Sequence, residues 1–163
     1  MIGWNCTGEG GAAKSGISGT IKNAGGIQVF LDKVSLNNKR EVLGKADTDA
    51  NGSFSIPMPE NMTAGLYNLR VGAKRVFLPL NGKESGVNID ADLNTINKYD
   101  FTVTGSKDAT EYVSNMKAFF ERTKTKDQIN SYINSPESSP IAALHLATSL
   151  LSGEEKYLSL IHI

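Results

Sequence analysis

The sequence predicts a mainly β protein, an antiparallel β-sandwich or open barrel of about eight strands, followed by a C-terminal helical segment. Two observations support this prediction. Between residues 17 and 105, short stretches of alternating apolar and polar residues recur at intervals of about 8 to 14 residues, separated by Gly- and Asn-rich turns. After Gly105 the apolar residues recur every three or four positions instead, which is the period of an amphipathic helix.

The most diagnostic stretch covers residues 46–57. Its polar turn contains Asn51-Gly52, and beyond the turn Phe54 and Ile56 alternate with serines. Asn-Gly beside alternating apolar residues is the strongest short-range signal of a β-hairpin, so we predict that this turn joins two paired strands. The eight predicted strands cover residues 17–22, 27–32, 41–48, 53–57, 66–71, 75–80, 86–92 and 99–104.

The spacing of apolar residues beyond Gly105 predicts three helices. The first begins at Ser106 or Asp108 and runs to about Lys124, and the second covers residues 126–134. Ser139 can cap the third helix, because Pro140 then takes the first helical position, where an N–H group has no partner in any case. The side chains predicted to face inward are Tyr112, Val113, Met116, Phe119 and Phe120, then Ile129, Tyr132 and Ile133, then Ile141, Leu144, His145, Thr148 and Leu151.

The N-terminal residues are expected to form a tether. Residues 1–16 are rich in Gly, Ala, Thr and Ser, a composition typical of a flexible segment. A cysteine followed by such a tether resembles the mature start of a bacterial lipoprotein, so Cys6 is a candidate lipid-attachment site. Asn5 departs from the small residue that a lipoprotein signal places before its cysteine, and the alternative is a free thiol.

The last six residues are expected to be foreign to the natural chain. The sequence Leu158-Ser-Leu-Ile-His-Ile163 can be encoded by CTG TCT CTT ATA CAC ATC, which resembles the transposon end used to prepare DNA sequencing libraries. The alternative is a coincidental apolar tail. The expected organisation is a tether over 1–16, a β domain over 17–105, a helical region over 106–157 and an adaptor-encoded end over 158–163.

Composition excludes several classes of function. Lys and Arg together number 17, as do Asp and Glu, so the net charge is zero and gives no electrostatic basis for binding nucleic acid or anionic lipid. The single cysteine, Cys6, allows neither an internal disulfide nor a Cys-rich metal site. No apolar run approaches the roughly 18 residues that a membrane-spanning helix needs.

One stretch resembles the opening of a calcium-binding loop. Asp47, Asp49 and Asn51 stand at ligand positions, with Gly52 at the sixth position. The twelfth position holds Met58 where the loop requires Glu, and strands flank the stretch where the loop requires helices. Because tight turns require the same residue types, we interpret these residues as a turn.

No other constellation predicts a site. His145 falls among apolar residues of a predicted helix, as a structural histidine does, and His162 lies in the adaptor-like end. Nucleophilic catalysis requires a base beside the nucleophile, and Cys6 has no evident partner. We therefore predict no catalytic, metal-binding or cofactor-binding residue and no cofactor. The aromatic residues alternate within strands as core residues do, rather than as a carbohydrate-binding face: Phe30, Phe54, Tyr67, Phe77, Tyr99 and Phe101.

Five strings, in order and spacing, resemble a known family. They are Ile17-Ser-Gly-Thr-Ile-Lys22, Ile27-Gln-Val-Phe-Leu31, Asp47-Thr-Asp-Ala-Asn-Gly-Ser-Phe-Ser-Ile56, Gly65-Leu-Tyr-Asn-Leu69 and Phe101-Thr-Val-Thr-Gly-Ser106. Over residues 15–106 the chain resembles the N-terminal β domain, itself of unknown function, of bacterial envelope thiol-disulfide oxidoreductases. Residues 107–151 resemble the helical linker that this family places before its thioredoxin-like domain.

This resemblance implies a non-catalytic accessory role. In that family the chemistry belongs to a thioredoxin-like domain with a Cys-x-x-Cys pair, which this sequence lacks, so we expect the chain by itself not to be an enzyme. The implied partners are the missing C-terminal thioredoxin-like domain and a protein partner or second copy of the chain. The implied location is the bacterial cell envelope, with membrane contact only through a lipid on Cys6. The alternative is a stand-alone surface or periplasmic lipoprotein that binds a glycan or a protein.

Overall fold

The computed structural model describes residues 16–35 and 39–161, and for residues 153–161 it describes the backbone alone. The strands are Gly16–Lys22 (β1), Gln28–Val34 (β2), Arg40–Asp47 (β3), Ser53–Pro57 (β4), Gly65–Val71 (β5), Lys74–Leu80 (β6), Val87–Asp92 (β7) and Phe101–Thr104 (β8). The α-helices are Lys107–Phe120 (α1), Lys126–Ile133 (α2) and Pro140–Ile161 (α3), and a 3₁₀-helix covers Ile96–Lys98. The predicted mainly β fold with a helical C-terminal segment is confirmed. Cys6 and His162 lie outside the described residues.

The strands form two four-stranded sheets packed face to face, and the barrel does not close. Sheet A has the order β4-β1-β7-β8, and sheet B has the order β3-β2-β5-β6. One pair departs from the antiparallel pattern, because β1 and β7 run parallel, with Ile17 opposite Val87 and Ile21 opposite Ala91. Local alternation does not reveal this pairing, since a period of two identifies a strand without identifying its neighbours.

The core between the sheets follows from the alternation within each strand. In β2, for example, Val29 and Leu31 are buried between the sheets while Phe30 faces outward and is half-buried. The fully buried side chains that meet in this core include Ile17, Ile21, Val29, Leu31, Ile56, Tyr67, Leu69, Val76, Leu78, Leu80 and Ile89. Of the predicted core aromatics, Phe54, Tyr67, Tyr99 and Phe101 are buried, whereas Phe30 and Phe77 are half-buried on the outer face of sheet B.

The Asn51-Gly52 turn forms, but the predicted hairpin is wrong. β3 pairs with β2 in sheet B and β4 pairs with β1 in sheet A, so the turn carries the chain from one sheet to the other. The turn chemistry itself is as expected, because the Asp49 carboxylate accepts hydrogen bonds from the N–H groups of Asn51 at 2.8 Å and Ser53 at 2.9 Å.

Gly52 explains why the strand after the turn pairs with β1. Its φ of +83° is a conformation that favours glycine, and a Cβ at this position would lie 1.9 Å from the Ile21 carbonyl oxygen. The Ile21 N–H donates to the Gly52 carbonyl at 2.9 Å. The glycine therefore lets the backbone of β1 approach the turn, and β4 continues as the partner of β1.

Thr48 joins the two connections that cross between the sheets, residues 23–27 and residues 48–52. Its buried hydroxyl accepts from the Ile27 N–H at 2.8 Å and donates to the Ala24 carbonyl. Its own N–H donates to the Ile27 carbonyl at 2.9 Å. One end of the sandwich is thereby closed by two crossing connections that share a buried threonine.

Helices α1 and α3 cover the side of the sandwich where β6 and β8 are the edge strands. Tyr112 and Val113 of α1 and Leu146 of α3 belong to the same hydrophobic cluster as the strand residues. Tyr99 stacks on Phe101 with ring centroids 5.9 Å apart and meets Tyr112 edge-on at 5.7 Å. Its hydroxyl also accepts from the Phe77 N–H of edge strand β6 at 3.2 Å. The helices thus contribute to one core with the sheets.

Helix α3 buries a different face from the predicted one. Ala142, Leu146 and Leu150 are buried, whereas the predicted inward residues Leu144 and Leu151 are exposed. The α3 sequence is apolar on both sides, so its period alone does not decide which side is buried. The predicted caps are confirmed, since the Ser106 and Ser139 hydroxyls accept from the N–H groups three residues on.

Helix α1 is shorter than predicted. It ends at Phe120 instead of about Lys124, and Phe119 and Phe120, which were predicted to face inward, are exposed. Phe120 still stacks on Tyr99, with ring centroids 6.0 Å apart. In α2 the predicted burial of Ile129 is confirmed.

Candidate functional site

A cleft of about 810 Å³ opens where the starts of α1 and α3 meet the connection that follows β6. The first turns of α1 contribute Lys107, Asp108 and Glu111, and the connection contributes Asn81. The opposite wall consists of residues 136–140, which precede and begin α3. The cleft therefore lies where the helices join the sandwich.

Asp108 links three elements across this cleft. Its carboxylate is almost fully buried and accepts from the Asn81 amide at 2.9 Å and from the Ser139 hydroxyl. The Ser139 oxygen in turn accepts from the Ala142 N–H at 3.2 Å, as an N-cap does. A side chain of α1 thus holds both the connection after β6 and the cap of α3.

Glu111 forms a second link between the same helices. Its carboxylate accepts from the Ser139 N–H at 2.9 Å and from the Tyr132 hydroxyl, and Lys107 lies 3.5 Å away. Burial opposes ionisation of Glu111, but the hydrogen bonds from Tyr132 and Ser139 and the charge of Lys107 outweigh it and lower the pKa of the carboxyl. Burial, reinforced by the neighbouring carboxylate, raises the pKa of the Tyr132 hydroxyl.

Glu84 completes the arrangement on the side of the sandwich. It accepts from the backbone N–H groups of Asn81 at 2.8 Å and Gly82 at 2.9 Å. The Ser106 hydroxyl, which caps α1, donates to it at 3.0 Å. We call the set Asn81, Glu84, Ser106, Asp108, Glu111, Tyr132 and Ser139 the helix-anchoring cluster.

The contacts of the helix-anchoring cluster define its chemistry. Both carboxylates of α1 accept hydrogen bonds from Ser139, the residue at which α3 begins. The Ser139 oxygen is itself occupied by the Ala142 N–H, so its geometry is that of a cap. The arrangement is therefore suited to fixing the start of α3 on α1 and on the sandwich.

A partly buried ion pair lies elsewhere, on the outer face of sheet B. The fully buried Asp32 carboxylate accepts from Arg70 Nε at 2.5 Å and from Arg70 Nη2 at 3.1 Å. This hydrogen bonding raises the pKa of Arg70. The guanidinium also lies over the Phe30 ring, 4.5 Å from its centroid. Asn68 donates to Asp32 at 3.4 Å, and its buried Oδ1 has no partner among the described residues.

The residues that match a calcium loop act as turn residues. Asp49 accepts from the turn backbone, and Asp47 accepts from the Gln28 amide at 3.2 Å. Among the described residues, no group of three or more His, Cys, Asp and Glu side chains is arranged to hold a metal ion. His145 is half-buried on α3, and burial lowers its pKa.

Neither the helix-anchoring cluster nor the Asp32–Arg70 pair was predicted from the sequence. An acidic residue inside an apolar strand is a usable signal, and Asp32 provides one. Its partner cannot be found by spacing, because Arg70 follows 38 positions later on a strand whose register is set by the whole sheet. The helix-anchoring cluster can be recognised only when the positions of the helices in the fold are known.

Two comparisons with known proteins found no match. No protein-family model matches the chain, and no curated protein matches its sequence. Function must therefore be argued from the residues and their geometry. Among the described helices, none combines the length and the apolar character that crossing a bilayer requires.

Proposed function

We propose that this chain is a non-catalytic accessory domain of a bacterial envelope thiol-disulfide interchange protein, whose catalytic thioredoxin-like domain lies outside the chain. The main support is the order of the five family-like strings. They fall on β1, β2, the connection into β4, β5 and β8, all within one sandwich. A shared order over a whole fold is more specific than any single string.

The packing of the helices supports an accessory role that is mechanical. Because α1 and α3 share the core of the sandwich and the helix-anchoring cluster fixes the start of α3, α3 leaves the β domain in a defined direction. The exposed Phe119, Phe120, Leu144 and Leu151 offer apolar surface against which a following domain, a protein partner or a second copy would pack.

The chemistry of the proposed parent requires two cysteines. One thiolate attacks a disulfide of the substrate to form a mixed disulfide, and the neighbouring thiol resolves it as the parent pair is oxidised. This chain has Cys6 alone. Its proposed contribution is to position the domain that carries the pair.

Two measurements test the proposal. Sequencing the source locus beyond Tyr157 is expected to show a continuing reading frame with a strand, a Cys-x-x-Cys pair and a helix, whereas a natural stop codon there would contradict the accessory role. An insulin-reduction assay on the chain is expected to show no turnover. Turnover in this assay would contradict the non-catalytic assignment. A Cys6→Ser variant would then show whether the single thiol is responsible for it.

A second candidate is a stand-alone lipoprotein module that binds a glycan or a protein. The observation that favours it is the pair of rings Phe30 and Phe77, which lie half-buried on the outer face of sheet B instead of in the core. The same locus sequence discriminates the two, because this candidate requires the gene to stop without a thioredoxin-like domain.

A further inference from the structure

The outer faces of the two sheets differ in chemistry. Sheet A presents small polar residues in two cross-strand rows, Ser55-Ser18-Asn88-Thr104 and Ser53-Thr20-Asp90-Thr102. Sheet B presents the rows Lys45-Phe30-Arg70-Arg75 and Val42-Asp32-Asn68-Phe77. Of these two surfaces, only that of sheet B combines aromatic rings with guanidinium groups, a combination enriched in protein interfaces.

Arg70 is held in a fixed position on this surface. Asp32 binds its Nε and Nη2, and Phe30 supports the plane of the guanidinium. An arginine has five N–H donors, so the donors on the side turned away from Asp32 stay available to a ligand, and the side chain is 32% exposed. Little side-chain entropy remains to be lost when such an arginine binds an anion.

The row through Arg70 carries three positive charges, and the next row on the same face carries the exposed Asp47, which accepts from the Gln28 amide. Lys45 and Arg75 are exposed and stand in the same cross-strand row, on either side of the Phe30–Arg70 pair. Adjacent strands are about 4.8 Å apart, so the row extends over roughly 14 Å. Asp32 is the one carboxylate in the two rows, and it is fully buried with both oxygens bound to Arg70.

Apolar side chains accompany these charges. Phe30 and Phe77 are half-buried on the face, and Val42 is exposed. We propose that the outer face of sheet B, centred on the row Lys45-Phe30-Arg70-Arg75, is a docking surface for an acidic, partly apolar segment of a partner protein. Charge complementarity with the row identifies the occupant as acidic, and the neighbouring rings identify it as partly apolar.

The shape of the surface favours a peptide segment over a membrane. The Phe30 ring lies beneath the Arg70 guanidinium, so it does not protrude as a residue that inserts into a bilayer would. The cations lie in a single cross-strand row, which suits an extended chain with spaced carboxylates. This surface is independent of the proposed function, because it exists whether or not a thioredoxin-like domain follows.

The test uses the full chain and a short synthetic peptide in which glutamate alternates with leucine. Binding is followed by amide chemical shifts, with an otherwise identical lysine–leucine peptide and vesicles of anionic phosphatidylglycerol as comparison probes. The variant is the double substitution Lys45→Ala and Arg75→Ala. Arg70 is kept, because its removal would leave the buried Asp32 carboxylate without a partner. The matched control, Lys22→Ala with Lys98→Ala, makes the same charge change at exposed lysines elsewhere.

The glutamate peptide is expected to shift amides of β2, β5 and β6, and to bind more weakly as salt is added. The Lys45→Ala, Arg75→Ala double variant is expected to weaken binding about tenfold or more, and the control pair to leave it within about twofold. Equal binding of the lysine peptide, shifts confined to other elements, equal loss in the control pair or no binding at all would overturn the proposal. Binding to the vesicles alone would also overturn it, in favour of a membrane surface.

Discussion

The two sides of the sandwich are closed in different ways. On the side of β6 and β8, α1 packs against both edge strands, its Tyr112 and Val113 join the hydrophobic core, and the Tyr99 hydroxyl accepts from the Phe77 N–H of β6. On the side of β3 and β4, most of β3 is exposed and Val42 is 55% exposed. There the two edge strands are joined by the crossing turn at Gly52.

The two sides protect their unpaired strand edges in different ways. The covered side buries its edges under helices, whereas β3 carries Arg40, Glu41 and Lys45, charged residues that disfavour pairing with another chain. We therefore expect the covered side to be sensitive to loss of side-chain volume. The open side should depend on its crossing connections and tolerate changes in its exposed side chains.

The largest effect is expected for Tyr112→Ala on the covered side. Tyr112 is 1% exposed and contacts the Tyr99 ring, so truncation leaves a cavity between α1 and the sandwich. Loss of a buried aromatic side chain costs about 3 to 5 kcal/mol in unfolding free energy, measurable by urea denaturation. Tyr112→Phe is the matched control, since it removes only the hydroxyl bonded to Ser149 and should cost about 1 kcal/mol. Similar losses of unfolding free energy in both variants would show that the Tyr112 ring does not contribute to the packing of α1 against the sandwich.

The next largest effect is expected for Gly52→Ala in the crossing turn. A Cβ there meets the Ile21 carbonyl oxygen, so the β1 backbone must shift, with an expected loss of roughly 3 kcal/mol. Gly26→Ala is the control because Gly26 also has a positive φ, +69°, but its Cβ would meet nothing within 4 Å. That variant should lose only about 1 kcal/mol, from backbone conformation alone. Equal losses in thermal or urea unfolding would contradict the close approach of β1.

A smaller, pH-dependent effect is expected at the junction with α3. The pKa of Glu111 is lowered in the folded chain, so folding keeps this carboxyl ionised. Its stabilisation is fully present above the unfolded value of about 4.3 and is lost as pH falls through the folded value. Glu111→Gln should therefore lose stability at neutral pH and show a shallower decline of Tm from about pH 5 to pH 3.

The control for this effect is Glu137→Gln, an exposed residue of the same cleft that is outside the helix-anchoring cluster. It should leave the pH profile of Tm unchanged. A profile for Glu111→Gln that coincides with that of the unsubstituted chain would show that Glu111 does not link α3 to α1.

The smallest effect is expected for Val42→Thr on the open side. Val42 is exposed on edge strand β3, and threonine has the same shape and a similar preference for strands. The change in unfolding free energy should stay within about 0.5 kcal/mol. A loss in urea denaturation comparable to that of Tyr112→Ala would remove the distinction between the two sides.

The sequence predicted the positions of strands and helices more accurately than it predicted which of these elements pack or pair with one another. Alternation located β1, β2 and β7, and the Ser139-Pro140 pair located the start of α3, because these signals are local. The hairpin at Asn51-Gly52 was wrong, since the turn residues specify a bend and the pairing is decided by the approach of β1. The predicted buried face of α3 was also wrong, because the helix is apolar on both sides and its period does not decide between them.

Surface chemistry was the least predictable from the sequence. Asp32 is recognisable in the sequence as an acidic residue in an apolar strand, but Arg70 appears as an ordinary charged residue. Only the register of β2 against β5 brings them together over Phe30. A site built from residues on separate strands becomes visible once the order of strands is known.

The parallel pairing of β1 with β7 has a consequence for the order of folding. Among the described strands, β4 pairs with β1 and β8 pairs with β7, so sheet A consists of two antiparallel halves that are joined only when β1 meets β7. Ile17 must find Val87, and closing a loop of that length is slow because the chain loses entropy before the contacts form. During synthesis β1 can pair with β4 early, but its other edge stays unpaired until β7 emerges, whereas all four strands of sheet B are complete by Leu80.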